Sequence, residues 1–187
     1  MIIKILIGLA VLIVILLIVV ALQPNDFRVE RSATLAATPA VLFDNVNDHH
    51  KFNVWNPWLE LDPAAKNTYS GPDSGVGAKC SWEGKETGAG SSTIIESKPG
   101  ELVRFKMDWI KPMQGTSTVD FIFKPAGDKT TVTWAMYGRN NFMAKAASLV
   151  MDCEKMCGPQ FEKGLAKLGA VTAANPGQSA SLNLKEQ

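Results

Sequence analysis

The chain has 187 residues and a formal net charge of +1, a length that suits one sizeable domain better than two and a balance that excludes a broad basic surface for nucleic acid. With 3 cysteines and 2 histidines it has too few ligands for a disulfide framework or a zinc cluster. No metal or cofactor is expected.

The apolar residues are unevenly spread. Residues 5–22 form an uncharged apolar run of about 18 residues, long enough to cross a hydrocarbon core. The run is apolar on every face, which argues against a buried core helix. A cleaved signal peptide usually has a shorter apolar region and a small-x-small exit; here the exit reads Val20-Ala21-Leu22-Gln23. Residues 1–23 are therefore read as a single-pass membrane anchor, with the lipid bilayer as partner. The positive-inside count is nearly tied, Lys4 and the α-amino group against Arg28 and Arg31. A short tail inside, with the following domain on the periplasmic or extracytoplasmic side, is the expectation.

After the anchor the pattern becomes period two. Phe27, Val29, Ala33 and Leu35 alternate with Arg28, Glu30, Ser32 and Thr34, as in a half-buried strand. Arg31 falls in the apolar phase, which places it near a sheet rim with its stem packed and its head in water, or against a ligand head group. Thr38-Pro39 opens a short helix over 39–47, with Thr38 as cap and Pro39 in the first position. A second short helix ends at Pro57, flanked by Trp55 and Trp58. The adjacent His49 and His50 are poorly placed to share a metal. The turn-rich 71–77 segment lacks the ending of a phosphate loop.

Further strands follow. Ala78, Cys80 and Trp82 alternate with Lys79, Ser81 and Glu83, and 91–97 runs back. Val103, Phe105, Met107 and Trp109 face one way; Val119, Phe121 and Phe123 face inward on the next strand; Val132, Trp134 and Met136 do so on the last. By the same parity Glu83, Asp108, Asp120 and Tyr137 point outward, and Glu96 is ambiguous.

Residues 142–168 carry a helical stripe: Phe142, Ala146, Leu149, Cys153, Cys157, Phe161, Leu165 and Leu168, in steps of three or four. The segment reads as one long helix with a kink or restart at Gly158-Pro159, Pro159 lying in the first turn of the second part. Cys153, Cys157 and Cys80 are read as small core residues. The expected organisation is an anchor over 1–23, an α+β domain over 24–168 and a disordered tail over 169–187.

Several phrases, in order, resemble the START-like helix-grip superfamily (SRPBCC). They are Val29-Glu30-Arg31-Ser32, Ala37-Thr38-Pro39 with Val41-Leu42-Phe43, Trp55-Asn56-Pro57-Trp58, Tyr69-Ser70-Gly71 with Gly75-Val76-Gly77-Ala78, Thr131-Val132-Thr133-Trp134, and Phe161-Glu162-Lys163-Gly164-Leu165. The closer match is to the polyketide cyclase/dehydrase and lipid-transport branch. The resemblance implies a curved antiparallel sheet of six to seven strands wrapped around the long C-terminal helix, two short helices after the first strand, and an apolar cavity between sheet and helix. It does not imply a reaction.

Residues and resemblance together favour a membrane-anchored domain that holds a hydrophobic or lipid-like small molecule. The expected contacts are Trp55, Trp58, Trp82, Phe105, Met107, Trp109, Phe121, Trp134, Met136 and Leu149, with Arg31 at the rim. Such a wall suits an apolar, adaptable pocket; it also suits a filled core. A cyclase or dehydratase would need an acid or base inside, and Arg31 with Glu96 is the only polar pair that strand phase allows there. A membrane-tethered protein-interaction domain is a third reading.

Overall fold

The computed structural model describes residues 2–174. The apolar run forms α1 (Ile2–Ala21), whose side chains are exposed along nearly its whole length. It is long and apolar enough to cross a membrane, with a mean hydropathy of 3.4. The alternating segments form β1 (Asp26–Leu35), β2 (Lys66–Ser70), β3 (Lys79–Glu83), β4 (Ala89–Lys98), β5 (Leu102–Lys111), β6 (Gly115–Ala126) and β7 (Lys129–Arg139). Between β1 and β2 lie the short helices α2 (Pro39–Val46), α3 (His49–Trp55) and α4 (Trp58–Leu61). The seven strands form one antiparallel sheet in the order β1-β7-β6-β5-β4-β3-β2.

Register turns the strand alternation into two faces. Val29 pairs with Met136, Met136 with Val119, Val119 with Phe105, and Phe105 with Ile94. One row along, Arg31, Trp134, Phe121 and Val103 are aligned. This inner face is covered by α2, α3 and the C-terminal helix, in the α+β helix-grip arrangement expected from the sequence. On the outer face Arg104 donates two hydrogen bonds to Asp120, at 2.7 and 2.9 Å, and Tyr137 donates a third at 3.1 Å. Asp120 does point outward, but these partners leave it only 6% exposed.

The local signals at the helix starts divide. Pro39 occupies the first turn of α2 as expected, yet the Thr38 side chain makes no capping bond. Asp48 caps α3 instead, accepting from the backbone N–H of His50 and Lys51.

The C-terminal stripe is not one helix. It divides into α5 (Phe142–Ala147) and α6 (Cys153–Ala174), and the restart comes at Cys153, not at Gly158-Pro159. The reason is Asp152, whose carboxylate accepts from the backbone N–H of Glu154 at 3.0 Å and of Lys155 at 3.2 Å and so begins a new helix. Pro159 sits inside α6, which continues through it. The helix also runs to Ala174, beyond the 168 boundary expected, while 175–187 lie outside the described residues.

Candidate functional site

The inner face has a packed end and an open end. At the packed end Trp134 stacks on Phe161, with ring centroids 4.4 Å apart and planes 8° from parallel. Phe121, Trp55, Trp58 and Phe52 meet Trp134 at 4.7, 5.8, 5.6 and 6.2 Å. Phe105 joins through Phe121 at 5.9 Å. Such ring pairs add about 0.5–1.5 kcal/mol each beyond the area they bury. Helix α6 comes this close because residue 164 is glycine. A Cβ there would lie 2.5 Å from Trp134 Cζ3 and 3.2 Å from Pro57 Cδ. The Trp134 indole N–H is buried among these groups and finds no acceptor among the described residues. An unpaired buried donor is costly, by about 1–3 kcal/mol.

At the other end the face is looser. Met107, Trp109 and Trp82 are only half-buried. Trp82 and Trp109 meet edge to face at 5.5 Å, and Trp109 Nε1 donates to Ser117 Oγ at 2.9 Å. Met136 is buried beside Val29 and Val119. Here the break between α5 and α6 leaves a cleft of about 530 Å³. Its lining is Phe27, Arg28 and Val29 of β1, Ser148, Leu149, Val150, Met151 and Asp152 of the break, and Cys153, Glu154 and Lys155 at the start of α6. The volume falls in the range of about 300–1,000 Å³ usual for small-molecule sites. A second hollow beside His50, Tyr69 and Lys79, of about 100 Å³, falls below it.

Leu149, Arg31 and Glu96 take positions that helical spacing and strand parity alone do not give. Leu149 does not face the sheet from a continuous helix; it lies in the break, 39% exposed, at the cleft. Arg31 and Glu96 do not meet. Arg31 reaches across to α6, where its guanidinium bridges Glu154 and Glu162, the latter at 2.6 Å. The bridge passes over Gly158, where any Cβ would overlap the guanidinium. Glu96 is carried to the outer face by a register shift between Ile94 and Glu96. The extra residue is Ile95, and one added residue inverts the phase of all that follows. Glu96 therefore pairs with Arg104 and with Lys98, the latter at 2.7 Å.

The remaining titratable groups near the inner face are His49 and two cysteines. His49 is 3% exposed, stacks on Phe105 at 5.5 Å and places Nε2 2.9 Å from the Ser92 carbonyl oxygen. Burial pushes its imidazole down to about 4. Cys153 and Cys157 are free thiols with sulfurs 3.9 Å apart. Their shared hydrogen bond draws one thiol, Cys153, below its ordinary value and, with burial, pushes Cys157 up.

Comparison with known proteins fits this architecture. A family profile described as polyketide cyclase / dehydrase and lipid transport matches residues 26–172. The chain belongs to this family. No curated protein matches the sequence significantly. Among solved structures, a Chromobacterium violaceum protein shares 18% identity and a TM-score of 0.57, over 80% of this chain and 97% of its own. Ara h 8.0201 shares 13% identity and a TM-score of 0.58, over 81% of this chain and 100% of its own. A point mutant of Thalictrum norcoclaurine synthase, in complex with a transition-state analogue, shares 12% identity and a TM-score of 0.59, over 81% and 96%. At these identities the likeness is one of fold.

Within this family fold, every cleft-lining residue but Leu149 was left out of the contacts expected from sequence: Phe27, Val29, Val150, Met151 and Cys153 on the apolar side, Arg28, Ser148, Asp152, Glu154 and Lys155 on the polar side. Their signal was present. Leu149-Val150-Met151 are three consecutive apolar residues, which no single helical stripe accommodates, and Asp152 after them is a helix-start residue.

Proposed function

We propose that this chain is a membrane-anchored binding domain for a hydrophobic or lipid-like small molecule, held in the cleft between β1 of the sheet and the start of α6. The observation that carries the reading is the cleft itself, about 530 Å³, in which Phe27, Val29, Leu149, Val150, Met151 and Cys153 make an apolar wall and Arg28, Ser148, Asp152, Glu154 and Lys155 a polar one, a lining that suits an amphipathic, lipid-like molecule. Family membership supports it, because the family's description includes lipid transport. Residues 1–23 serve as the anchor in this reading, 24–168 as the binding domain, and the domain stands outside the cytoplasm.

Leu149, with Phe27, Val29, Val150 and Met151, makes the first contacts for such a ligand, and Met136, Met107, Trp109 and Trp82 are reached only from there along the inner face. Trp55, Trp58, Phe105, Phe121 and Trp134 form the wall behind, and the unpaired Trp134 N–H is a donor for a polar atom reaching that far. Arg31 meets a head group only by leaving Glu154 and Glu162. The enzyme alternative has less support, since Glu96, Asp108 and Asp120 all take outer-face positions in the strand registers.

Native mass spectrometry of the detergent-extracted full chain tests the reading. The expected result is a co-purifying apolar small molecule, displaced by a fluorescent fatty-acid-like probe. Protein that carries no such molecule and binds no such probe would overturn it.

A further inference from the structure

Helix α5 and the break after it together expose a run of apolar side chains. Within 142–151, Phe142 is 49% exposed, Met143 63%, Leu149 39%, Val150 86% and Met151 42%. Single exposed apolar residues need no explanation; a contiguous group marks a contact surface.

Its position names the contact. Asn140, just before α5, donates its backbone N–H to Asn25 O at 2.7 Å and its side-chain amide to Pro24 O at 3.2 Å. Lys145 Nζ reaches Ala21 O, the last residue of α1, at 3.2 Å. Val20 is 3% exposed, the one buried residue of α1. The group is thus tied directly to the end of α1. A helix of 20 residues is about 30 Å long at 1.5 Å per residue, the thickness of a hydrocarbon core. If α1 spans, its last turn lies at the interface and so does the segment bonded to it. Lys145, bonded to Ala21 O, and Lys155, exposed beside Asp152, supply charged ends of the kind that lie among head groups at such an interface.

We propose that 142–151 form a second, interfacial contact with the bilayer that α1 crosses, seating Phe142, Met143, Leu149, Val150 and Met151 in the head-group and upper acyl region. The mouth of the cleft then opens onto the membrane rather than into water. The substrate class that follows is a chain-like apolar molecule already dissolved in the bilayer, which enters past Leu149 and Val150 to Phe27 and Val29. The inference rests on the reading of α1 as a membrane span.

The test uses the full chain in phosphatidylcholine nanodiscs, with and without bromine on the acyl chains as a contact quencher of tryptophan. Three variants each add one indole at an exposed position. Val150→Trp probes the segment and Ile13→Trp the middle of α1. Asp128→Trp probes the β6–β7 turn, at the opposite end of the sheet. The expected result is that the indoles added at 13 and 150 lose most of their emission in brominated discs, while that at 128 keeps it. Quenching at 13 but not at 150 would overturn the interfacial contact and leave the anchor standing; a surface that pairs two copies of the chain would give this result. No quenching at 13 would remove the span, and the inference with it. Probe binding, measured separately on the same samples, decides the ligand reading independently.

Discussion

Replacing Gly164 by alanine separates two opposed effects on one helix. Alanine is favoured over glycine in a helix interior by about 1 kcal/mol. The added methyl, however, would come within 2.5 Å of Trp134 Cζ3 and 3.2 Å of Pro57 Cδ. Trp134 is 3% exposed and stacked on Phe161, so its ring cannot swing away. Overpacking of this kind costs about 1–3 kcal/mol, and Gly164→Ala should be destabilised by roughly 0–2 kcal/mol net, a fall in Tm of up to about 8 °C for a domain this size. Gly158→Ala, on the same helix, meets instead the end of the flexible Arg31 side chain. That group can move at the expense of its ion pairs with Glu154 and Glu162, and exposed ion pairs contribute little. Gly158→Ala should therefore keep or raise the melting temperature. Thermal unfolding of both variants in mild detergent, followed by near-ultraviolet circular dichroism, gives the order directly. A Gly164→Ala protein as stable as Gly158→Ala would refute the close approach of α6 to Trp134.

Other outcomes follow from single sites. His49 titrates at about 4 when folded against an ordinary 6.5, so the unfolded chain takes up its proton first as pH falls. Its contribution is full above pH 6.5 and is lost toward pH 4, a change on the order of 3 kcal/mol; urea midpoints at pH 7 and pH 5 should show the drop, and His49→Gln should flatten it. Asp120→Asn removes a carboxylate that accepts from Arg104 and Tyr137 and should cost about 1–3 kcal/mol, read by the same midpoints. Leu149→Trp places a larger ring at the cleft from a 39% exposed position; probe affinity should fall several-fold with little change in melting temperature. Equal affinity in that variant would move the binding site away from the break.

The sheet was legible because strand parity is local. Val103, Phe105, Val119, Phe121, Val132 and Trp134 all lie on the inner face, where alternation alone placed them. Parity left Glu96 ambiguous because the bulge at Ile95 is settled by the partner strand, through the pairing of Glu96 with Arg104. The helix was legible as a stripe, but periodicity cannot distinguish one helix from two in phase. Asp152 decided between them by satisfying the backbone N–H groups of Glu154 and Lys155. Arg31 was visible as an anomaly in an apolar phase. Its partners, at Glu154 and Glu162 either side of Gly158, sit more than a hundred residues away and depend on how the helix is laid across the sheet.

The start and the middle of α6 do opposite things to the same inner face. Toward its middle, Gly164 lets the helix down onto Trp134, and the space beneath is filled by rings. At its start, the Asp152 cap begins the helix late, and the residues that would have made another turn and a half become the wall of the cleft. A continuous helix from 142 would have brought Leu149 onto the sheet and closed both ends. The break keeps one end open, and the bonds from Asn140 and Lys145 to 21–25 fix that end beside α1. The irregularity in the helix thus places the cleft at the one part of the domain that a membrane-spanning α1 would hold against a bilayer.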